Sequence, residues 1–169
     1  VDYIFVMVLG GLWGSFANVC IYRLPNNEGV ILGRSFCPNC KAKINWYDNI
    51  PLISFLILSG KCRNCKKKIS IQYFIVELLT VVLFLSIYFK FGATLTTFFL
   101  AILSLSFLII FFIDLKHFII PNVITFSLMV IGFFKSFDPY LHPMFPNYIN
   151  SLIGGIFGFA IIWTIIFLY

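Results

Sequence analysis

The 169-residue chain predicts an all-α polytopic membrane protein of about five transmembrane helices with a small zinc-knuckle loop domain on the cytoplasmic side. Composition is the first reason: 61% of residues are hydrophobic and only 11% charged, too little polar surface for a soluble domain of this size. The second is the spacing of apolar runs, most of them near the twenty or so residues that cross a bilayer. The third is that both CxxC pairs fall in one polar stretch between the first two runs.

Residues 3–22 form the first predicted span, with Gly10, Gly11, Gly14 and Ser15 as small residues that permit close helix contact. This run has no basic leader segment and no A-x-A site, so it reads as a retained span and not a signal peptide. Residues 71–89 form the second and carry one acid, Glu77; residues 94–113 form the third and carry no charge. Residues 118–134 form a shorter fourth, with Pro121 near its start, where proline is tolerated. Residues 149–169 form the fifth, with Gly154, Gly155 and Gly158. No repeat or low-complexity tract is evident. The chain starts at Val1 and stops at Tyr169 inside an apolar run, which reads as a piece of a longer protein. The expected domains are the first helix (1–22), the cysteine loop (23–70) and the remaining membrane helices (71–169).

Nine of the 12 Lys and Arg lie between Arg23 and Lys68, flanking the first two spans. The positive-inside rule places that loop in the cytoplasm and the N-terminus outside. Alternation then puts residues 90–93 outside, 114–117 inside and 135–148 outside. The net charge of +6 does not point to nucleic acid, because the excess sits in one loop beside membrane, where anionic headgroups are the natural partners.

Cys37-Pro38-Asn39-Cys40 and Cys62-Arg63-Asn64-Cys65 are paired CxxC knuckles with 21 residues between them. Each tight turn supplies two thiolates, and two turns complete a tetrahedron, so Cys37, Cys40, Cys62 and Cys65 are the predicted zinc ligands. Two disulfides or four free thiols are the alternatives, and a reducing cytoplasm argues against disulfides. With every corner a cysteine the metal has no open position, so its role is structural, folding a loop too small to fold alone. The neighbouring Lys and Arg are expected to favour the thiolates. Cys20 stands apart and reads as a small buried apolar residue.

Asp114 is the singled-out acid. It closes the third span in Phe112-Ile113-Asp114-Leu115-Lys116-His117, at the cytoplasmic level, where acids bordering spans are costly and often functional. The plain alternative is a solvated acid, or one paired with Lys116. Glu77, about 9 Å into its span by helical rise, reads first as a packing residue. His117 is an interfacial histidine with no second ligand beside it.

Several stretches taken in order carry a resemblance. These are Gly14-Ser15-Phe16-Ala17-Asn18-Val19 with Ile21-Tyr22-Arg23-Leu24-Pro25; Arg34-Ser35 before the first knuckle; and Asp48-Asn49-Ile50-Pro51-Leu52-Ile53-Ser54. Gly60-Lys61 before the second knuckle, Ile69-Ser70 with Tyr73, Val76-Glu77-Leu78-Leu79-Thr80, and Asp114-Leu115 with Ile120-Pro121-Asn122 complete the series. Together they make the chain resemble the prepilin peptidases (type IV prepilin leader peptidase/N-methyltransferases), GxGD-type membrane aspartic proteases of the bacterial inner membrane. The resemblance implies cleavage of the short basic leader of type IV prepilins and pseudopilins at the cytoplasmic membrane face. It also implies N-methylation of the new N-terminus with S-adenosylmethionine, in the service of type IV pili or type II secretion. It makes Asp114 the first of two catalytic aspartates. The second, in a Gly-x-Gly-Asp motif, occurs nowhere in residues 1–169, so these residues alone are expected to be inactive. Asn122 occupies a position that is Asp in many relatives and is not counted as catalytic. A second reading is a non-catalytic membrane scaffold with a structural zinc knuckle, which needs no second Asp. A transporter using Glu77 and Asp114 is disfavoured, since no span has an unwound centre with paired acids.

Overall fold

The computed structural model describes residues 2–30, 35–37, 39–137 and 147–168. Val1, Arg34, Pro38, Tyr169 and residues 138–146 of the expected outer loop lie outside the described residues.

The described chain is helical. α1 is Asp2–Arg23, α2 the short Ile53–Ile57, α3 Ile71–Phe91, α4 Leu95–His117, α5 Asn122–Lys135 and α6 Tyr148–Leu168. α1, α3, α4 and α6 are long and apolar enough to cross a membrane; α5, with 14 residues, is shorter. Local chemistry sets the ends. Ser70 caps α3 by accepting from the Gln72 N–H, and Thr94 caps α4 by accepting from the Thr97 N–H at 3.2 Å. Phe118 turns left-handed (φ 53°) and returns its N–H to the Asp114 carbonyl, which stops α4. The fourth span therefore begins later than expected. Residues 118–121 are not helical, because Phe118 has left the α region and Pro121 disfavours it for Ile120.

The chain divides into two compact units, Val1–Pro121 and Asn122–Tyr169. In the first, the small residues of α1 face α3. A Cβ on Gly10 would lie 2.9 Å from the Val81 Cα, and one on Gly14 would lie 2.7 Å from the Glu77 Cα. The order of these pairs, rising on α1 and falling on α3, makes the helices antiparallel. Their four-residue spacing is one face of each helix. α4 packs against both, and Ala17, Ile21, Val76, Thr80, Ile109 and Ile113 are buried in the core. The remaining faces of these helices are rich in exposed Phe, Leu and Ile, the surface expected of chains solvated by lipid. In the second unit Phe137 stacks on Tyr148 with ring centroids 5.6 Å apart, and Gly154, Gly155 and Gly158 face open space.

The loop between α1 and α3 does not stand clear of the helices. Pro51 sits against Gly11, where an added Cβ would be 3.1 Å from the proline ring. Gly11 precedes Arg23 by twelve residues, about 18 Å of helix. The segment ending in α2 thus folds back along α1, leaving Ile53, Leu56 and Ile57 exposed.

Candidate functional site: cysteine knuckles, a strained turn and a cavity

The two CxxC segments build the same local structure 25 residues apart. In the first, the Cys37 N–H bonds to the Ala42 carbonyl and the Lys41 N–H to the Cys37 carbonyl, both at 2.9 Å. In the second, Cys62 and Lys67 make the first bond (2.9 Å) and Lys66 and Cys62 the other (3.0 Å). A single bridge closes each knuckle, Phe36 with Lys43 and Lys61 with Lys68. Lys41 and Lys66 both take the left-handed conformation, φ 58° and 59°, that turns the chain back. The sequence marks the repeat too, since Cys-x-Asn-Cys-Lys-x-Lys-Ile occurs at 37–44 and again at 62–69, so the expectation of no repeat is corrected here.

The knuckles bring Cys37, Cys40, Cys62 and Cys65 together, with all four sulfurs within 4.8 Å of one another. Cys37 and Cys65 are 3.9 Å apart and Cys40 and Cys62 4.0 Å. A zinc–sulfur bond of 2.3 Å in a tetrahedron requires sulfurs about 3.8 Å apart, so this is a metal-sized cage and not a pair of disulfides. The Cys65 thiol is pulled down to about 6, first by the Lys67 backbone N–H and also by the Asn39 amide. On this sulfur it is hydrogen bonds, from a backbone N–H and an amide, that favour the thiolate. The Lys67 ammonium is instead 2.6 Å from the Asn39 Oδ1, tying the knuckles together. Arg63 forks onto both oxygens of Asp48 at 2.7–3.0 Å, fastening the second knuckle to residues 46–49 and holding the Asp48 carboxyl below the usual range.

Beneath the knuckles lies a strained turn. Leu52 has φ 60° and ψ −49°, and the Ile53 N–H reaches the Pro51 carbonyl at 2.6 Å, an i to i+2 bond. This is the rare form of γ-turn. The Leu52 N–H points the other way and donates to Glu77 Oε2 at 2.8 Å. Glu77 is only 8% exposed, lies against Gly14, and has the Ser15 hydroxyl as a further hydrogen-bonding partner. The sequence reading gave Glu77 a packing role; the structure makes it the clamp that holds the loop to the helices. Glu77→Ala strands a buried N–H and frees the turn. The expected loss is about 1–3 kcal/mol of stability, read as a lower melting temperature with faster proteolysis of residues 46–58. Glu77→Gln, which still accepts at Oε1, should keep most of it. Equal melting of the Ala variant and the parent would refute the clamp.

Between knuckles, turn and helices is a cavity of about 660 Å³. Ser15, Asn18 and Tyr22 of α1 and Tyr73 and Glu77 of α3 line it on one side, and Asn45, Asp48 and the knuckles on the other. Asn18 is 4% exposed, and its Nδ2 donates to the Tyr73 carbonyl at 3.0 Å. That partner can only accept, so the amide orientation is settled, and Oδ1 is left buried without a hydrogen bond among the described residues. An orphan acceptor of this kind costs about 1–3 kcal/mol. Sequence reading quoted Asn18 in its first-span motif without giving it a role; a lone amide in an apolar span was the available signal.

Asp114 is exposed, one turn before the end of α4, and its carboxylate makes no hydrogen bond or ion pair with another described residue. The alternative pairing with Lys116 is absent; Lys116 instead lines the rim of the cavity. His117 ends the helix exposed, and Cys20 is buried as expected.

Comparison with known proteins agrees with this division. Residues 8–91 match the family model of the bacterial peptidase A24 N-terminal domain, and residues 100–169 match that of the type IV leader peptidase family. A prepilin leader peptidase/N-methyltransferase of Vibrio cholerae is 36% identical over 95% of this chain and 66% of its own length. One of Myxococcus xanthus is 37% identical over 92% of this chain and 45% of its own. One of Klebsiella pneumoniae is 32% identical over 98% of this chain and 73% of its own. The chain thus spans 45–66% of the length of the first two. No solved structure matches.

Proposed function

The chain belongs to the type IV leader peptidase family, and on that premise we propose that it carries the Asp114 half of a membrane aspartic peptidase that removes the basic leader of prepilins or pseudopilins. The observation that carries the reading is Asp114 itself: an exposed, unpaired carboxylate at one end of a membrane-length helix, within the segment matched to the peptidase family. Two close carboxylates cannot both ionise easily. The charged one takes a proton from water as the oxygen bonds to the scissile carbonyl carbon. The protonated one supplies a proton to the leaving nitrogen as the C–N bond breaks. Asp114 supplies one of the two, and the partner belongs to a Gly-x-Gly-Asp motif that residues 1–169 lack.

The second activity is methylation of the new N-terminus. S-adenosylmethionine, when bound, supplies an electrophilic methyl group. Zinc in the cage of Cys37, Cys40, Cys62 and Cys65 fixes the two knuckles over α1 and α3, and the sulfur spacing suits it.

The site works at the bacterial inner membrane, with the N-terminus outside and the knuckles in the cytoplasm. The nine basic residues of the loop support that orientation, and the exposed apolar face of α2 suits the adjoining leaflet. A basic leader is held on the same side, so the bond ahead of the substrate's apolar helix comes to the level of Asp114.

The test is a chimera that appends to residue 169 the remaining C-terminal segment of the Klebsiella pneumoniae relative. In proteoliposomes the chimera is expected to cleave a prepilin, and the 169-residue chain is not. Efficient cleavage by the chain alone would overturn the paired-aspartate reading.

A further inference from the structure

We infer that residues 50–57 re-enter the membrane. The chain dips alongside α1 and α3 to roughly the middle of the bilayer at Pro51, and Ile53, Leu56 and Ile57 are solvated by the acyl chains of the leaflet on that side. The inference takes α1 and α3 as spans, and that leaflet is the cytoplasmic one on the orientation proposed above.

Two rulers set the depth. A Cβ on Gly11 would lie 3.1 Å from the Pro51 ring and 4.0 Å from the Val81 Cγ2, so the three residues share a level. Gly11 is twelve residues, about 18 Å, from the Arg23 end of α1, and Val81 is ten residues, about 15 Å, from Ile71 at the start of α3. With 22 and 21 residues the two helices are about 33 and 32 Å long, close to the roughly 30 Å of a hydrocarbon core. Their shared level at Pro51 is therefore near the midplane.

The segment has the chemistry for that place. Ile50 to Leu58 reads Ile-Pro-Leu-Ile-Ser-Phe-Leu-Ile-Leu, with no charge and one polar side chain. Backbone polar groups at membrane depth must be satisfied by protein. The Ile50 N–H donates to the Ser54 Oγ at 3.1 Å, and that hydroxyl donates to the Tyr47 carbonyl at 2.8 Å. Pro51 has no N–H, Glu77 takes the Leu52 N–H, and the Pro51 carbonyl takes that of Ile53. The N–H groups of Ser54, Leu56 and Leu58 go to the carbonyls of Ile50, Leu52 and Ser54. The γ-turn at Leu52 reverses the chain beside the deepest residue.

The outward face follows. Ile50, Phe55 and Leu58 line the cavity, whereas Ile53, Leu56 and Ile57 do not and are 54–72% exposed. Leu78, Leu79 and Val82 of α3, near the same depth, are exposed as well, so the segment adds to a surface that already faces lipid. Ahead of the dip stand Trp46 and Tyr47, both exposed, the residue types that favour a membrane–water interface. The Asp48–Arg63 pair keeps the adjoining charges at the knuckles. The knuckles are thus moored to the bilayer by a part of their own loop.

The test is tryptophan fluorescence of the zinc-loaded 169-residue chain in proteoliposomes. Trp13→Phe, Trp46→Phe and Trp163→Phe clear the background. Ile53→Trp and Ile57→Trp then report on the segment, Val82→Trp on the middle of α3 and Glu28→Trp on the aqueous loop. Iodide is expected to quench the tryptophans at 53 and 57 at least roughly five-fold less than the one at 28. Phosphatidylcholine brominated on its acyl chains should quench both, and bromines near the chain ends should reach 53 better than 57. Both side chains are exposed, so at least one variant is expected to fold, checked by melting and zinc content. Iodide quenching in a folded variant equal to that at 28, with 82 shielded, would leave α3 a span and show a face open to water, as one kept for a protein partner would be. Quenching at 53 only by bromines beside the headgroups would lay the segment flat on the interface. Either result overturns re-entry. If iodide reaches 82 as well, α3 is no span and the inference falls with it.

Discussion

Asp114→Asn in the cleaving chimera is expected to lower prepilin processing by at least roughly 10³-fold, the scale on which a lost general acid or base is felt. The amide nearly matches the carboxylate in shape but cannot exchange a proton with water or the leaving amine, so substrate can bind without being cut. Asp114 is exposed and makes no hydrogen bond or ion pair with another described residue, so its replacement should leave the melting temperature where it was. Glu77 is no substitute partner, because the Leu52 N–H already occupies its Oε2 and the loop depends on that bond. Cleavage by the variant at more than a tenth of the parental rate would end the assignment of Asp114 as a catalytic residue.

Removal of zinc is the second large effect. Structural zinc sites of this type carry about 10–16 kcal/mol of apparent binding energy that is also folding energy. Among the described residues the loop is otherwise held by two isolated bridges, short helical turns, the Asp48–Arg63 pair, the Lys67–Asn39 bond and the Glu77 clamp at Leu52. A strong chelator, or Cys62→Ser, is expected to make residues 35–69 sensitive to protease. The long helices should persist and far-ultraviolet circular dichroism should change little. Metal analysis should give one zinc per chain before treatment and none after. Binding requires the thiols to lose their protons, so affinity should fall as pH falls. Cys65 is already pulled down to about 6, so it holds its thiolate to a lower pH than an ordinary thiol does. A loop that stays protease-resistant after complete zinc loss would show that the metal does not fold it.

Much of this was legible beforehand for a simple physical reason. A helix that crosses a membrane must be long and apolar, and a four-thiol metal cage needs cysteines at a fixed spacing, so both leave marks in composition and periodicity. Spans one, two, three and five fell within a few residues of α1, α3, α4 and α6. The largest offsets, four residues each, fall where α4 ends and α5 begins, because the left-handed Phe118 that stops α4 has no strong sequence signal; nothing in a phenylalanine announces φ 53°. At Cys65 the groups that lower the thiol are a backbone N–H and an amide, contacts that no count of charges along the chain displays.

Alone, the sequence determined the membrane class, the four cysteines that cluster, Asp114 as the acid to test, and the family to which these residues belong. Those properties are additive along the chain: one counts apolar residues, thiols and charges where they stand. Only the tertiary structure decided that Glu77 clamps the γ-turn at Leu52, that Pro51 lies against Gly11, and that the Asn18 Oδ1 is buried without a hydrogen bond among the described residues. Each joins atoms far apart in sequence, and whether a buried acceptor is satisfied depends on every neighbour that packing brings to it.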